Sequence, residues 1–390
     1  MTPSRRDFIE RSATTYGALA LGIPPVESTI DSTHDKKYSS NPLKILFIGG
    51  TGFIGPHMVR VARKEGHEVT LFNRGITNPH LFPDLEKLRG DRDGGLDILK
   101  GREWDAVIDT SGYLPRLVRD SAELLKDTVQ QYLYISTTDA YQTYNIIDIN
   151  EDAPMAILQD PTTEDVGSFY GPLKAQCERE VREVFPNRST VIRPTWIVGP
   201  GDRRTDLVYW LQRINIGGEV LAPGDPTDPI QIIDARDLAD FVIHLLENKT
   251  LGTYNAVGPE SELSISEFLY GIRAITNSAI NFTWVDAEFL SKKKIYPWRD
   301  LPLWWPPRDD YPGPPGMSIG GGTGFGLISR KLSISAGLRY RPLAVTAKDT
   351  LDWFFTWAEE WKDRQRSGLT MEIESEILAA WHAQHLKYDY

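Results

Sequence analysis

Apolar residues occur in short dense runs that end in glycine or a turn, separated by stretches in which they recur at helical spacing. Leu43-Lys44-Ile45-Leu46-Phe47-Ile48 is the first such run, and the glycines that end it predict a buried parallel strand. Residues 53–64 follow with helical spacing, Met58, Val59, Val61 and Ala62 forming the apolar stripe. Glu68-Val69-Thr70-Leu71-Phe72 reads as a second strand after the turn at Glu65-Gly66-His67. Ala106-Val107-Ile108 and Tyr132-Leu133-Tyr134-Ile135 are two more, with a helix predicted between them over 118–129. A helix over 173–184 and a strand at Val191-Ile192 extend the alternation. Strands and helices alternating at this spacing predict an α/β fold, a doubly wound parallel sheet with helices on both faces. From about Thr195 glycine and proline become frequent, and residues 296–316, with Trp298, Trp304 and Trp305, predict a smaller, irregular lobe.

Gly49-Gly50-Thr51-Gly52-Phe53-Ile54-Gly55 lies where the first strand meets the first helix. In that setting the glycines have separate uses: Gly49 for a sharp turn, Gly52 for close approach of backbone N–H groups to a pyrophosphate, and Gly55 for tight helix–strand packing. The expectation is a dinucleotide-binding domain over 43–200, with 232–258 returning to it. Residues 201–231 and 259–390 are left for a substrate lobe and C-terminal helices. About 20 residues past the glycines, where NAD-binding folds carry an acid for the ribose 2′-hydroxyl, this chain has Asn73-Arg74. An amide does not repel a 2′-phosphate and a guanidinium pairs with one, so the cofactor is read as NADP or NAD with NADP favoured.

Tyr170 and Lys174 are four residues apart, on one face of a helix. A cation beside a phenol favours phenolate and makes it a general base. Upstream, the strand ending at Ile135 runs into Ser136-Thr137-Thr138-Asp139-Ala140-Tyr141, a hydroxyl cluster at the sheet edge where open α/β folds bind ligands.

Together these motifs resemble the extended short-chain dehydrogenase/reductase family, the group that contains the nucleotide-sugar epimerases and dehydratases. The resemblance runs from about Leu43 to about Trp353. It takes in GGTGFIG, STTDAY, YGPLK, and the softer stretches RPTWIVGP (193–200), IIDARDLA (232–239) and TYNAVGP (253–259). It implies a Rossmann sheet and a set of roles. Gly49, Gly52, Phe53, Ile54 and Gly55 would cradle the dinucleotide beside Asn73 and Arg74, and Asp91 would face the adenine. Thr110, Ser111 and Gly112 would lie along the cofactor. Thr137, more than Ser136, would position the substrate, Tyr170 would be the base, and Lys174 would orient the ribose and lower the tyrosine's pKa. A homodimer through helices flanking the sheet is a further implication. Sugar dehydratases of the family carry Thr-Asp-Glu where this chain has Thr137-Thr138-Asp139, and Thr138 cannot protonate a leaving hydroxyl, so dehydration is disfavoured.

Composition narrows the alternatives. The chain has 390 residues, 41% hydrophobic and 25% charged, which is ordinary for a soluble protein, and its net charge of -11 disfavours broad capture of nucleic acid. Beyond the N-terminus no apolar run reaches the roughly 18 residues of a membrane span. Cys177 is the single cysteine, so no internal disulfide forms, and the seven histidines show no metal-site spacing. Ser4-Arg5-Arg6-Asp7-Phe8-Ile9 resembles a twin-arginine export signal; a mildly apolar stretch (18–23) and a polar linker (27–42) follow. That route carries folded proteins, so a tightly bound cofactor would travel with the chain.

The expected function is therefore an exported oxidoreductase, working with the twin-arginine machinery, that removes hydride from a carbinol of a sugar, glycoside or similar polyol. It would return the hydride within each cycle, as an epimerase does. The alternatives are a cytosolic NADPH-dependent reductase of a small carbonyl compound and a non-catalytic nucleotide- or RNA-binding protein on the same scaffold.

Overall fold

The computed structural model describes residues 41–311, 321–356 and 367–385. The arginine pair of the export reading lies outside them. Strand β1 (Lys44–Ile48) is buried on both faces because its side chains feed two cores: Ile45 and Phe47 join one, Leu46 and Ile48 the other. It is an interior strand of a seven-stranded sheet with β2 (Glu68–Asn73), β3 (Glu86–Arg89), β4 (Trp104–Asp109), β5 (Val129–Ile135), β6 (Ser189–Pro194) and β7 (Gly252–Ala256). The order is β7-β6-β5-β4-β1-β2-β3, and every pairing is parallel. Strand order reverses between β1 and β4, which opens a crevice at their C-terminal ends.

Helix α1 (Gly55–Lys64) covers one face through Met58, Val59 and Ala62. Helix α2 (Pro115–Leu125) covers the other through Val118, Ala122 and Leu125, together with Cys177 and Val181 of α3 (Val166–Val184). The lobe is built around α4 (Asp206–Ile216), whose Trp210, Leu211 and Ile214 meet Phe268 and Leu269, Leu301 and Trp304, and Ile377 and Leu378. Helix α5 (Ala235–Glu247) returns to the α1 face with Leu238, Phe241 and Val242.

Three local readings are corrected. The helix expected over 118–129 spans Pro115–Leu125: Pro115 suits the first turn, where its missing N–H costs nothing, and Val129 already belongs to β5. The helix expected over 173–184 begins at Val166, capped by Asp165, whose carboxylate accepts from the Ser168 N–H at 3.1 Å. Pro172 cannot donate to the Ser168 carbonyl, and the helix breaks at Phe169 (φ -125, ψ 30). Strand β3 was not predicted, since Glu86–Arg89 is a sheet edge with only Leu88 buried.

Buried charge fixes α3 on the sheet. Glu178, 1% exposed, accepts from Arg193 Nε at 3.0 Å and Nη2 at 2.7 Å, from Ser136 Oγ at 2.5 Å, and from Arg182 at 3.1 Å. Removing one partner of such a pair strands the other charge. Glu178→Gln is expected to lower the unfolding free energy by about 3 kcal/mol, measured by urea denaturation; a loss within experimental error would show that Arg193 does not depend on the carboxylate.

Candidate functional site

The turn after β1 puts Gly49 at φ +108 and Gly50 at φ +82, both in the left-handed region. A Cβ on Gly49 would meet Thr110 Oγ1 at 2.4 Å, and one on Gly55 would lie 2.6 Å from the Gly50 backbone. Gly55 therefore lets α1 close onto the end of β1. A Cβ on Gly52 would meet nothing within 4 Å; that face opens on a cavity of about 590 Å³. Phe53, Ile54 and Gly55 line the same cavity, and Ile54 caps α1 without a side-chain hydrogen bond. An open glycine cradle at an uncapped helix N-terminus fits a dinucleotide pyrophosphate. Gly50, which the sequence reading passed over, has the second strained turn position.

The residues expected at the adenosine end lie together after β2 and β3. Asn73 braces the turn, donating to the Gly49 carbonyl at 2.9 Å and accepting from the Gly75 N–H at 2.9 Å. Arg74 and Asp91, expected on different parts of the cofactor, are 4.0 Å apart and both well exposed. The loop carrying Asp91 is tied down by its neighbour Arg92, which forms a buried bidentate pair with Asp109 at 2.9 and 2.6 Å. Tyr132 adds a hydrogen bond to Asp109 at 2.8 Å. Burial alone would raise Asp109, but the guanidinium and these hydrogen bonds hold its carboxyl below the usual range. Thr110 accepts from the Gly50 N–H at 3.3 Å, and Ser111 donates to the Ile48 carbonyl at 3.2 Å. The Gly112 carbonyl accepts from Tyr134 Oη at 2.7 Å and Lys174 Nζ at 2.9 Å.

On the far side of the cavity stand Thr137, Tyr170 and Lys174. Ser136 is committed to Glu178, while Thr137 Oγ1 accepts from the Asp139 N–H at 3.1 Å and lines the cavity with Tyr170. Lys174 is buried, bound to the Gly112 carbonyl and to the Ile135 carbonyl at 2.6 Å, with its ammonium 4.2 Å from the centre of the Tyr134 ring. Burial pulls its pKa down to about 8. Burial also pushes the Tyr170 phenol up, with Asp139 and Tyr113 acting in the same direction; Thr137 and Arg204 oppose them weakly. The expected lowering of Tyr170 by Lys174 is therefore not seen: the ammonium is engaged by two strand-end carbonyls, and the phenol stays protonated near neutrality.

Sequence reasoning missed Asp202 and Arg204, which the loop entering the lobe brings to the cavity. Asp139, which stands where the sugar dehydratases carry their second carboxylate, is buried in the wall, raised by burial, and accepts from Tyr144 Oη at 2.8 Å. Asp202 and Arg204 come from the loop after the strand Trp196–Val198. Arg204 pairs with Asp206 at 2.8 Å. Trp298 and Trp305 also line the cavity, whereas Trp304 is core and donates to Asp228 at 2.8 Å. The cue for Asp202 and Arg204 was their position just after RPTWIVGP. Among the described residues no cluster of three or more His, Cys, Asp or Glu could hold a metal, and no helix is long and apolar enough to cross a membrane.

A Rossmann-type parallel sheet with its cavity at the β1/β4 crevice is the architecture of dinucleotide-binding folds. Solved structures with the same fold include proteins bound to NAD. The Bordetella bronchiseptica enzyme WbmH, in complex with NAD+, aligns with TM-score 0.58 at 16% identity, covering 81% of this chain and 99% of that one. The UDP-glucuronic acid 4-epimerase of Bacillus cereus, in complex with NAD, aligns with TM-score 0.53 at 16% identity over 80% and 98%. At that identity the likeness shows the fold. By sequence, the chain is 29% identical over 227 residues to the chloroplast stem-loop binding protein of 41 kDa b of Arabidopsis thaliana, covering 54% of this chain. The match spans 57% of that relative's length. It is 25% identical over 245 residues to the epimerase family protein SDR39U1 of Bos taurus, covering 58% of this chain and 78% of that one. No known family profile matches the chain.

Asp202 gives a pH test of the cavity. It is 3% exposed, and burial, with Asp206 adding to it, raises its carboxyl to about 7. A raised folded pKa means that the native state keeps a proton the unfolded chain has lost, so stability is full below about pH 4 and falls as pH rises through 7. Asp202→Asn removes that loss. The variant should gain about 3 kcal/mol on the wild type between pH 4 and pH 8 in urea titrations, and parallel profiles would refute the assignment.

Proposed function

We propose that the protein is an NAD(P)-dependent oxidoreductase of the epimerase/dehydratase type that oxidises a carbinol of a sugar or similar polyol and returns the hydride within the same cycle. One observation carries the reading: the open face of Gly52, the Thr137 hydroxyl and the Tyr170 phenol border one cavity. The bound nicotinamide supplies the hydride acceptor. Thr137 holds the substrate hydroxyl beside Tyr170, whose phenol exchanges the proton, and Lys174 fixes the adjoining strand ends. The half-cycle that removes hydride needs Tyr170 as phenolate to take the hydroxyl proton, a form its burial disfavours, and the half-cycle that returns hydride uses the resulting phenol to give the proton back to the carbonyl oxygen.

The cavity's chemistry favours an uncharged polyol over a nucleotide sugar. Asp139 and Asp202 offer carboxyls to hydroxyl groups, Trp298 offers a stacking face, and Arg204, the lobe's cation there, already pairs with Asp206. Thr138 in place of a carboxylic acid argues against dehydration. Arg74, exposed at the end of β2, supports NADP over NAD. The sequence Ser4-Arg5-Arg6-Asp7-Phe8-Ile9 supports export, and an exported enzyme without a dinucleotide pool needs a retained cofactor and a redox-neutral cycle.

A second reading, nucleic-acid binding, draws on the stem-loop binding relative. The net charge of -11 weighs against it.

Three measurements test the proposal. Purified protein should carry dinucleotide through gel filtration, and denaturation should release it for identification as NADP or NAD. Cell fractionation should find the native chain exported and Arg5→Lys/Arg6→Lys retained in the cytosol. An exported chain with an empty site, active only on added NADPH, would replace the closed cycle with a plain reductase. Tyr170→Phe should cut turnover by roughly 10²-fold with nucleotide content unchanged; near wild-type turnover would remove the phenol from the mechanism.

A further inference from the structure

The loop between the strand Trp196–Val198 and α4 crosses from the lobe to the glycine turn. Its residues alternate. Asp202 and Arg204 line the cavity, and Arg203 between them is exposed and turned to the segment that follows β2. There Arg203 Nη2 donates to Asn78 Oδ1 at 3.0 Å, and Asn78 Nδ2 donates to the Thr51 carbonyl at 2.8 Å. Thr51 lies between Gly50 and Gly52, so a single amide joins the lobe loop to the floor of the cradle. Asn78 takes φ +43 to do so, a backbone conformation that Asn tolerates better than most residues.

The start of the same loop is seated on α1. His57 Nε2 donates to the Pro200 carbonyl at 2.8 Å; burial lowers its pKa, so the ring is neutral with its proton on Nε2. Gly201, at φ +100, lies against Phe53 and His57, where a Cβ would stand 3.4 and 3.6 Å from them. The loop is thus hinged on α1 at Pro200 and latched through Arg203 and Asn78 to Thr51.

We propose that the Arg203–Asn78–Thr51 bridge is a latch over the dinucleotide groove that sets the rate at which the cofactor leaves. This rests on the dinucleotide reading of the cradle and supplies what a retained cofactor needs. Two asparagines hold the turn at alternate carbonyls: Asn73 at Gly49 from the end of β2, and Asn78 at Thr51 from the segment beyond it. Only the second is also tied to the lobe. Opening the groove therefore separates Arg203 from Asn78 while the cradle keeps its shape, so release slows and binding geometry is unchanged.

The test is displacement of NADPH from the purified full chain, followed by loss of its fluorescence in stopped flow, with NADH in a parallel arm. Asn78→Ala and Arg203→Gln should each raise the dissociation rate about tenfold, the effect of one hydrogen bond to a charged group, with association changed less than about twofold. Acting through one bridge, the two changes should not compound: the double variant should release no faster than the singles. Wild-type dissociation rates in both singles, or rates that multiply in the double, overturn the latch. If Asn78→Ala fails to fold, Arg203→Gln, at an exposed position, decides alone. Wild-type protein that binds neither nucleotide would overturn the dinucleotide reading itself, and the latch with it.

Discussion

The site depends on two charges buried one turn apart on the sheet-facing side of α3. Lys174 and Glu178 are 4% and 1% exposed, and charges so placed persist only where partners replace water. Glu178 finds its partners in Arg193 of β6 and Ser136 beyond β5; Lys174 finds its partners in the carbonyls that end β5 and follow β4. Apolar packing lets a helix slide by fractions of a turn, whereas these bonds fix its rotation and its height above the sheet. Tyr170, one turn before Lys174, inherits that placement despite the break at Phe169.

Around this anchor the C-terminal edge of the sheet is held by side chains that reach back to backbone. Asn73 holds the glycine turn, Arg92 and Asp109 hold the loop after β3, and the Gly112 carbonyl serves Tyr134 and Lys174 together. The cavity they enclose shifts four of its ionisable groups toward their neutral forms, Tyr170, Asp139 and Asp202 upward and Lys174 downward, burial being the largest cause in each case, while Arg204 keeps its charge beside Asp206. Neutral donors and acceptors suit hydroxyl-rich ligands, whose recognition is by hydrogen bonds rather than ion pairs.

Short-range features were legible in the chain. The apolar runs of β1, β2, β4 and β5 and the glycine spacing place the cradle, because a strand buried on both faces and a turn that needs positive φ leave local signatures. Strand β3 escaped because its pattern is that of an exposed edge, and the early start of α3 escaped because Pro172 reads as a boundary where the structure has a break. The meeting of Asp139 with Asp202 and Arg204, and the reach of Asn78 to Thr51, are products of tertiary closure between distant segments; periodicity carries no trace of them. The coupling of Tyr170 to Lys174 was overread, since spacing on a helix says which side chains share a face but not which carbonyls claim the ammonium.

The position of β7 and α5 in the chain bears on how the protein is made. The face of the sheet that α1 covers is completed by Leu238, Phe241 and Val242, and the sheet's outer edge by Gly252–Ala256 pairing with β6. A nascent chain emerging from the ribosome has its glycine turn early, yet α1 lies on a half-covered face, and β6 presents open backbone groups, until the first part of the lobe has been synthesised. The cavity is therefore completed late in biogenesis, and an interrupted translation product would offer chaperones an unpaired parallel edge rather than a finished sheet.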